Sequence, residues 1–188
     1  NGWESLVEPN GAKLCDNPYQ VYPHAELGNA NGDIFLGFGQ AFGDIALHYQ
    51  PLNNNLEMFD GDQGIPVYES FTPQNNFDLT SNSAGDVYFV FSDQRNFIDS
   101  DVYLQKYNNF SGVFSEPKLI VDNFFIDDNV QFIESTPDDG CFITYDSGDF
   151  SGTRAYAQAT DSDGNVLPAF AGCIRLSSNE DDQFIKGL

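Results

Sequence analysis

Basic residues are scarce in this chain: seven Lys and Arg stand against 29 Asp and Glu, a formal net charge of −22. A surface of that sign repels a phosphate backbone, which excludes nucleic acid and anionic membrane surfaces as partners unless a cation bridges. Long apolar runs are missing too. Nothing approaches the roughly 20 consecutive apolar residues that a membrane helix needs, so no insertion into a bilayer is expected. Cysteine is limited to Cys15, Cys141 and Cys173, an odd count without CxxC spacing, which excludes a recognisable zinc or thiol-redox motif and leaves room for at most one internal disulfide. A Cys15–Cys173 pair and free thiols both fit that count. The only histidines, His24 and His48, lack the context of a Ser/His/Asp or Cys/His constellation.

What is present is aromatic and apolar. With 40% hydrophobic and 15% aromatic residues over 188 positions, the chain is a folded acidic protein rather than a disordered acidic tail. Its most legible stretch is GDVYFVFSDQRNFIDSDVYLQKY at 85–107. Val87 to Phe91 is an apolar run, Ser92 to Asn96 is a polar link, and Asp101 to Gln105 alternates with Val102 and Leu104 on one face. That is the signature of two strands and a connecting loop.

The rest of the chain repeats this unit. Segments starting at Gly32, Gly85 and Gly140 match, as do Ile45-Ala46-Leu47-His48, Val102-Tyr103-Leu104-Gln105 and Ala155-Tyr156-Ala157-Gln158. Turns near Gly2, Asn55, Gly112 and Asn165, and glutamines at Gln20, Gln74, Gln131 and Gln183 just ahead of each unit's first strand, keep the same period of roughly 54 residues. His48 stands in the slot of Gln105 and Gln158 and reads as a polar strand residue. Each period holds about four short strands and no helical periodicity, the content of one four-stranded blade of a β-propeller. The predicted fold is all-β, about three and a half repeats of antiparallel blades. The segments are 1–14 (end of a blade), 15–67, 68–122 and 123–172 (repeats), and 173–188 (start of another). A longer parent chain or a partner is expected to complete the ring, because a propeller must close to protect its edges.

The pattern Gly85-Asp86-Val87-Tyr88-Phe89-Val90-Phe91-Ser92-Asp93-Gln94-Arg95-Asn96 followed by Asp101-Val102-Tyr103-Leu104-Gln105 resembles the repeats of secreted bacterial surface propellers of the Bacteroidetes type, which are distantly similar to sialidase-like propellers. The resemblance implies an extracellular or cell-surface location. Gln40 and Ser147 replace Asp93 in the sister repeats, and no Ser-x-Asp-x-Gly-x-Thr-Trp box is present.

Three sets of residues bear on function. Asp93, Arg95, Asp99 and Asp101 lie on one inter-strand connection, where they bind a cation or sugar hydroxyls in one reading and clamp the loop as a structural ion pair in the other. Asp161, Asp163 and Asn165 have calcium-loop spacing without its later Gly and Glu, so Ca2+ binding and a plain hairpin turn both stand. Trp3, Tyr19, Tyr22, Phe71, Phe77, Phe97, Phe110 and Phe124-Phe125 are placed in turns or connections, most of them packing between blades and the rest displayed as rings suited to sugar faces or protein contacts. Asp127-Asp128, Asp138-Asp139, Asp146 with Asp149, and Glu180-Asp181-Asp182 read as solvated loop charge, with a divalent-cation-dependent surface along one rim as the other reading. The expected role is a non-catalytic recognition or adhesion module for a glycan or protein ligand. A sialidase- or glycoside-hydrolase-like enzyme working through carboxylates is the alternative, and a passive spacer is the third reading.

Overall fold

The structure, a computed structural model, describes residues 20–28, 34–42, 44–53, 58, 64–68, 72, 74–123, 126–149 and 152–176. Three antiparallel sheets follow one another along the chain. The first runs in the order β1 (Gln20–Gly28), β2 (Ile34–Phe42), β3 (Asp44–Leu52), β4 (Ile65–Pro66). The second contains β5 (Gln74–Ser81), β6 (Val87–Asp93), β7 (Asp101–Asn108) and β8 (Val113–Phe114), with β9 (Lys118–Val121) also paired to β7. The third is β10 (Asp127–Ser135), β11 (Cys141–Asp149), β12 (Gly152–Thr160) and β13 (Ile174–Arg175). Among the described residues there is no α-helix, only a 3-10 turn at Pro168–Phe170.

The sheets stack face to face, and strand alternation explains how. In β6, Val87, Phe89 and Phe91 pack toward the first sheet against Leu47, Tyr49 and Val67. Tyr88 and Val90 point the other way, into a cluster with Val102, Leu104, Ile133, Ile143 and Tyr145. A strand covered on both faces needs apolar side chains at every position, which is why 87–91 reads as an unbroken run rather than an alternation. Tyr49 anchors the first interface, its ring centroid 5.5 Å from Phe89 and 5.0 Å from Tyr107.

The first strands of successive sheets, β1, β5 and β10, lie next to one another. Asn76 Nδ2 donates to Asn129 Oδ1 at 2.8 Å, Ile133 N to Asp78 Oδ2 at 3.1 Å and Val130 N to Ser92 Oγ at 2.9 Å. Antiparallel meanders of four strands, with β9 as a fifth in the second sheet, stacked with their first strands on a common side have the arrangement of propeller blades. The outermost strands are short, two residues each in β4, β8 and β13 and four in β9, which leaves little unpaired backbone at the rim.

The glutamine spacing does not mark equivalent positions. Gln20 and Gln74 open β1 and β5, whereas Gln131 lies inside β10 at the register shift between Val130 and Phe132; Gln183 is outside the described residues. β10 starts earlier, at Asp127, because its polar head pairs with Ser147 and Gly148. Phe77, placed in a turn or connection by its sequence, lies instead within β5 and is buried in the first core, since the alternation of β5 turns Phe77 and Leu79 inward. Cys141 and Cys173 are free thiols; Cys15 lies outside the described residues.

Candidate functional site

The ends of β6 and β7 meet in the ladder pair Asp93–Asp101, with Gln74 of β5 opposite Asp93 on the other side. The loop between them, 94–100, contains no glycine and is shaped by side chains that bond to the backbone. Asn96 does most of this. Its Oδ1 accepts from Ile98 N at 2.9 Å and Asp99 N at 3.2 Å, while its Nδ2 donates to Asp101 Oδ2 at 2.9 Å and to Asp99 Oδ1. Phe97 N donates to Gln94 O at 2.8 Å. The loop also leans on the next sheet: Ser100 N donates to Asp127 Oδ1 at 3.0 Å, and Asp128 N to Ser100 O at 2.7 Å.

Arg95 and Asp93 form an ion pair at 2.8 Å. Asp93 is fully buried and also accepts from Thr72 Oγ1 at 2.7 Å. The guanidinium lies over two rings, 4.3 Å from the Tyr68 centroid and 3.7 Å from that of Tyr103. A carboxylate removed from water needs a charged partner and further hydrogen bonds to be tolerated, and both are supplied here. The four charged residues of this connection are thus divided between two tasks: Arg95 serves Asp93, and Asn96 holds Asp99 and Asp101.

Behind the loop lies a set of buried carboxylates. Asp99 is 4% exposed, Asp101 2% and Asp128 0%. Burial, reinforced by the charges of Asp122, Asp99 and Asp128 and opposed by Arg95, pushes the Asp101 carboxyl up to about 6. Burial also pushes Asp128 up to about 6, against hydrogen bonds from Ser147 and Asn123, whose Nδ2 is 3.1 Å from each carboxylate oxygen. Asp128 and Asp146 are therefore not solvated charges as their sequence positions suggest; both are buried, because β10 and β11 pair through them and turn them inward. Asp127 is exposed, and Asp139 receives Ser83 N at 2.9 Å. Glu180, Asp181 and Asp182 are outside the described residues.

These raised values fix a sign. The folded chain holds protons that the unfolded chain has released between about pH 4 and pH 6, so stability is greatest at the acid end of that window and falls as pH rises through it. Asp101→Asn, whose carbonyl oxygen still accepts from Asn96, is expected to raise the melting temperature by about 3 °C at pH 7.5, the shift of roughly 1 kcal/mol in a chain of this size, and by less at pH 4.5. Thermal melts at the two pH values check this; an equal gain at both would show that Asp101 is not the titrating group.

Asp161, Asp163 and Asn165 come together in a turn. Asp161 Oδ1 accepts from Asp163 N at 3.0 Å and Asn165 N at 2.8 Å, and its Oδ2 from Asn165 Nδ2 at 3.0 Å. These bonds, the Asn165 side chain foremost, hold its carboxyl below the usual carboxylate range. The Lys118 ammonium donates to Asn165 Oδ1 at 2.8 Å and to the Asp163 carbonyl, taking oxygens a cation would draw on. Among the described residues no group of three or more His, Cys, Asp or Glu is arranged to hold a metal. Phe97 and Phe110 are displayed rings, and Phe97 sits at the tip of the 94–100 loop; Trp3 lies outside the described residues. Asn96, Asn123, Thr72 and Tyr68 escaped sequence reasoning, since Asn and Thr carry no charge signal and the last three come from distant segments.

No helix among the described residues is long and apolar enough to cross a membrane. No protein-family model and no curated protein matches the chain. Solved structures do. A protein of unknown function from Dyadobacter fermentans is similar with a TM-score of 0.60 at 9% identity over 82% of this chain and 51% of its own. The GH93 alpha-L-arabinofuranosidase of Fusarium graminearum, in complex with arabinobiose, is similar with a TM-score of 0.57 at 13% identity, over 87% of this chain and 51% of that one. A PL25 ulvan lyase is similar with a TM-score of 0.52 at 17% identity, over 84% of this chain and 43% of that one. The chain spans about half the length of these structures, and what it shares with the β-propeller enzymes among them is the fold.

Proposed function

We propose that the chain is a segment of a carbohydrate-active β-propeller that cleaves a polysaccharide, and that the end bearing the 94–100 loop belongs to its substrate side. The observation that carries this reading is the fold likeness to an arabinofuranosidase and a polysaccharide lyase over more than four-fifths of the chain. The likeness alone does not specify a reaction. It is supported by the chemistry of the loop end, where Asp101 and Asp128 keep protons to about pH 6, the range in which a carboxyl serves as a general acid near neutral pH. Polysaccharides are met outside the cell, which agrees with an extracellular location.

A second reading, a module that binds a glycan without cleaving it, draws on the near-complete burial of Asp99, Asp101 and Asp128 beside the exposed Phe97. One assay separates the two. The full-length protein is incubated with neutral and acidic polysaccharides, and both new reducing ends and the ultraviolet absorbance of unsaturated lyase products are followed, with affinity electrophoresis alongside. Turnover is expected, with reducing ends alone marking hydrolysis and added absorbance marking a lyase. Retardation without turnover would establish the recognition module, and neither would sink the carbohydrate reading.

A further inference from the structure

Phe97 is 81% exposed and has φ +62°, the left-handed region that a bulky L residue seldom occupies and that glycine or asparagine enters at little cost. Asn96, the residue next to it, suits that conformation, yet its side chain is committed to Ile98, Asp99 and Asp101. The ring contributes no packing that would offset the strain. Backbone strain of this kind clusters at ligand clamps and active sites.

We infer that the 94–100 loop is a stacking platform for an uncharged sugar residue of the polysaccharide, with the Phe97 ring as its surface and the half-exposed Ile98 beside it. This rests on the carbohydrate reading above and adds the charge class of the ligand. Three features point to a sugar. Among the described residues the apolar island is small: Gln94 and Asn96 are exposed polar neighbours, while Asp99 and Ser100 are buried, so one ring face is covered by one sugar ring, far short of the ~800 Å² per partner of a stable protein interface. The loop backbone that carries the ring is tied down through Ser100, which is bonded to both Asp127 and Asp128 of the next sheet's first strand, so little backbone ordering entropy is lost on binding. Sign of charge decides the class. With Asp122 and Asp127 exposed close by on a chain of net charge −22, a uronate- or sulfate-bearing polymer is repelled, whereas a neutral polymer meets an aromatic face and hydrogen-bonding groups.

Affinity electrophoresis of the full-length protein tests this, with arabinan, galactan, xylan and mannan as neutral polymers and polygalacturonate as the acidic one. Wild type is expected to be retarded by at least one neutral polymer and not by polygalacturonate. Phe97→Ala should weaken that binding about tenfold and Phe97→Trp should retain it. Phe97→Asn, which fits the left-handed backbone, should lose binding while melting at or above the wild-type temperature, separating binding from folding. Equal retardation of wild type and Phe97→Ala overturns the platform while leaving the proposed cleavage standing, as turnover by both would show. Retardation by polygalacturonate overturns the neutral class. Retardation by none of the polymers overturns the inference, and turnover of none as well overturns the reading beneath it.

Discussion

Gly140→Ala is expected to destabilise the chain by about 3 kcal/mol or more, lowering its melting temperature by roughly 10 °C. A Cβ at this position would stand 2.1 Å from the Thr160 carbonyl oxygen and 3.1 Å from its carbonyl carbon. These are backbone atoms of β12, which cannot swing aside as a side chain would. Gly140 cannot retreat either. Its carbonyl accepts from Thr136 N at 2.9 Å, its N–H donates to Thr136 Oγ1 at 3.1 Å, and Cys141 next to it is fully buried and paired with Thr160. Relief requires prising β11 from β12. Gly172→Ala is the control, since a Cβ there meets nothing within 4 Å. Calorimetric melts of both variants check the expectation, and a Gly140→Ala protein melting within about 2 °C of the parent would refute it.

The same glycine shows how far the repeat could be read. Gly85 and Gly140 occupy one slot of the sequence period, but the slot is filled for two different reasons. Gly85 is needed for its φ of +84°; at the later turn Asp139 takes the left-handed conformation, φ +60°, and Gly140 is needed for close approach. A recurring residue announced a recurring turn without announcing its geometry. Strands β6 and β7 were legible because burial on both faces demands an apolar run and alternation. Strands β5 and β10 were not, because their heads, Gln74-Asn75-Asn76 and Asp127-Asp128-Asn129, carry the composition of a loop, and only the packed sheet shows that these polar groups find partners across the seam.

The loop end was legible by proximity along the chain and no further. Asp93, Arg95, Asp99 and Asp101 fall within one connection, so their gathering needed no tertiary information. Which carboxylate takes the arginine does. Tyr68 and Thr72 arrive from the preceding segment, and Asp128 arrives from the next sheet. Charge in a sequence carries no sign of its burial, and an aspartate pair at a strand start looks the same whether it faces water, like Asp127, or the interior, like Asp128.

Arg95→Met is expected to cost about 3 kcal/mol, the lower part of the range for removing one member of a buried pair, because a fifth to a quarter of the Arg95 side chain is exposed while its partner is not exposed at all. The asymmetry makes the prediction specific. Without Arg95 the Asp93 carboxylate keeps, among the described residues, only Thr72 Oγ1 and stays out of water. Without the Asp93 charge, Arg95 still reaches solvent and still stacks on Tyr68 and Tyr103. Asp93→Asn should therefore be the milder variant, and methionine, which fills the slot between the two rings, keeps the packing loss small. Adding Asp93→Leu to Arg95→Met removes the orphaned charge and should recover part of the stability. Urea unfolding of the three variants decides it, and an Arg95→Met protein as stable as Asp93→Asn would sink the argument. Arg95 also opposes the rise at Asp101. Its removal lets Asp101 hold its proton to still higher pH, so the loss of stability with rising pH should extend beyond pH 6 in Arg95→Met, a change that lost packing alone does not produce.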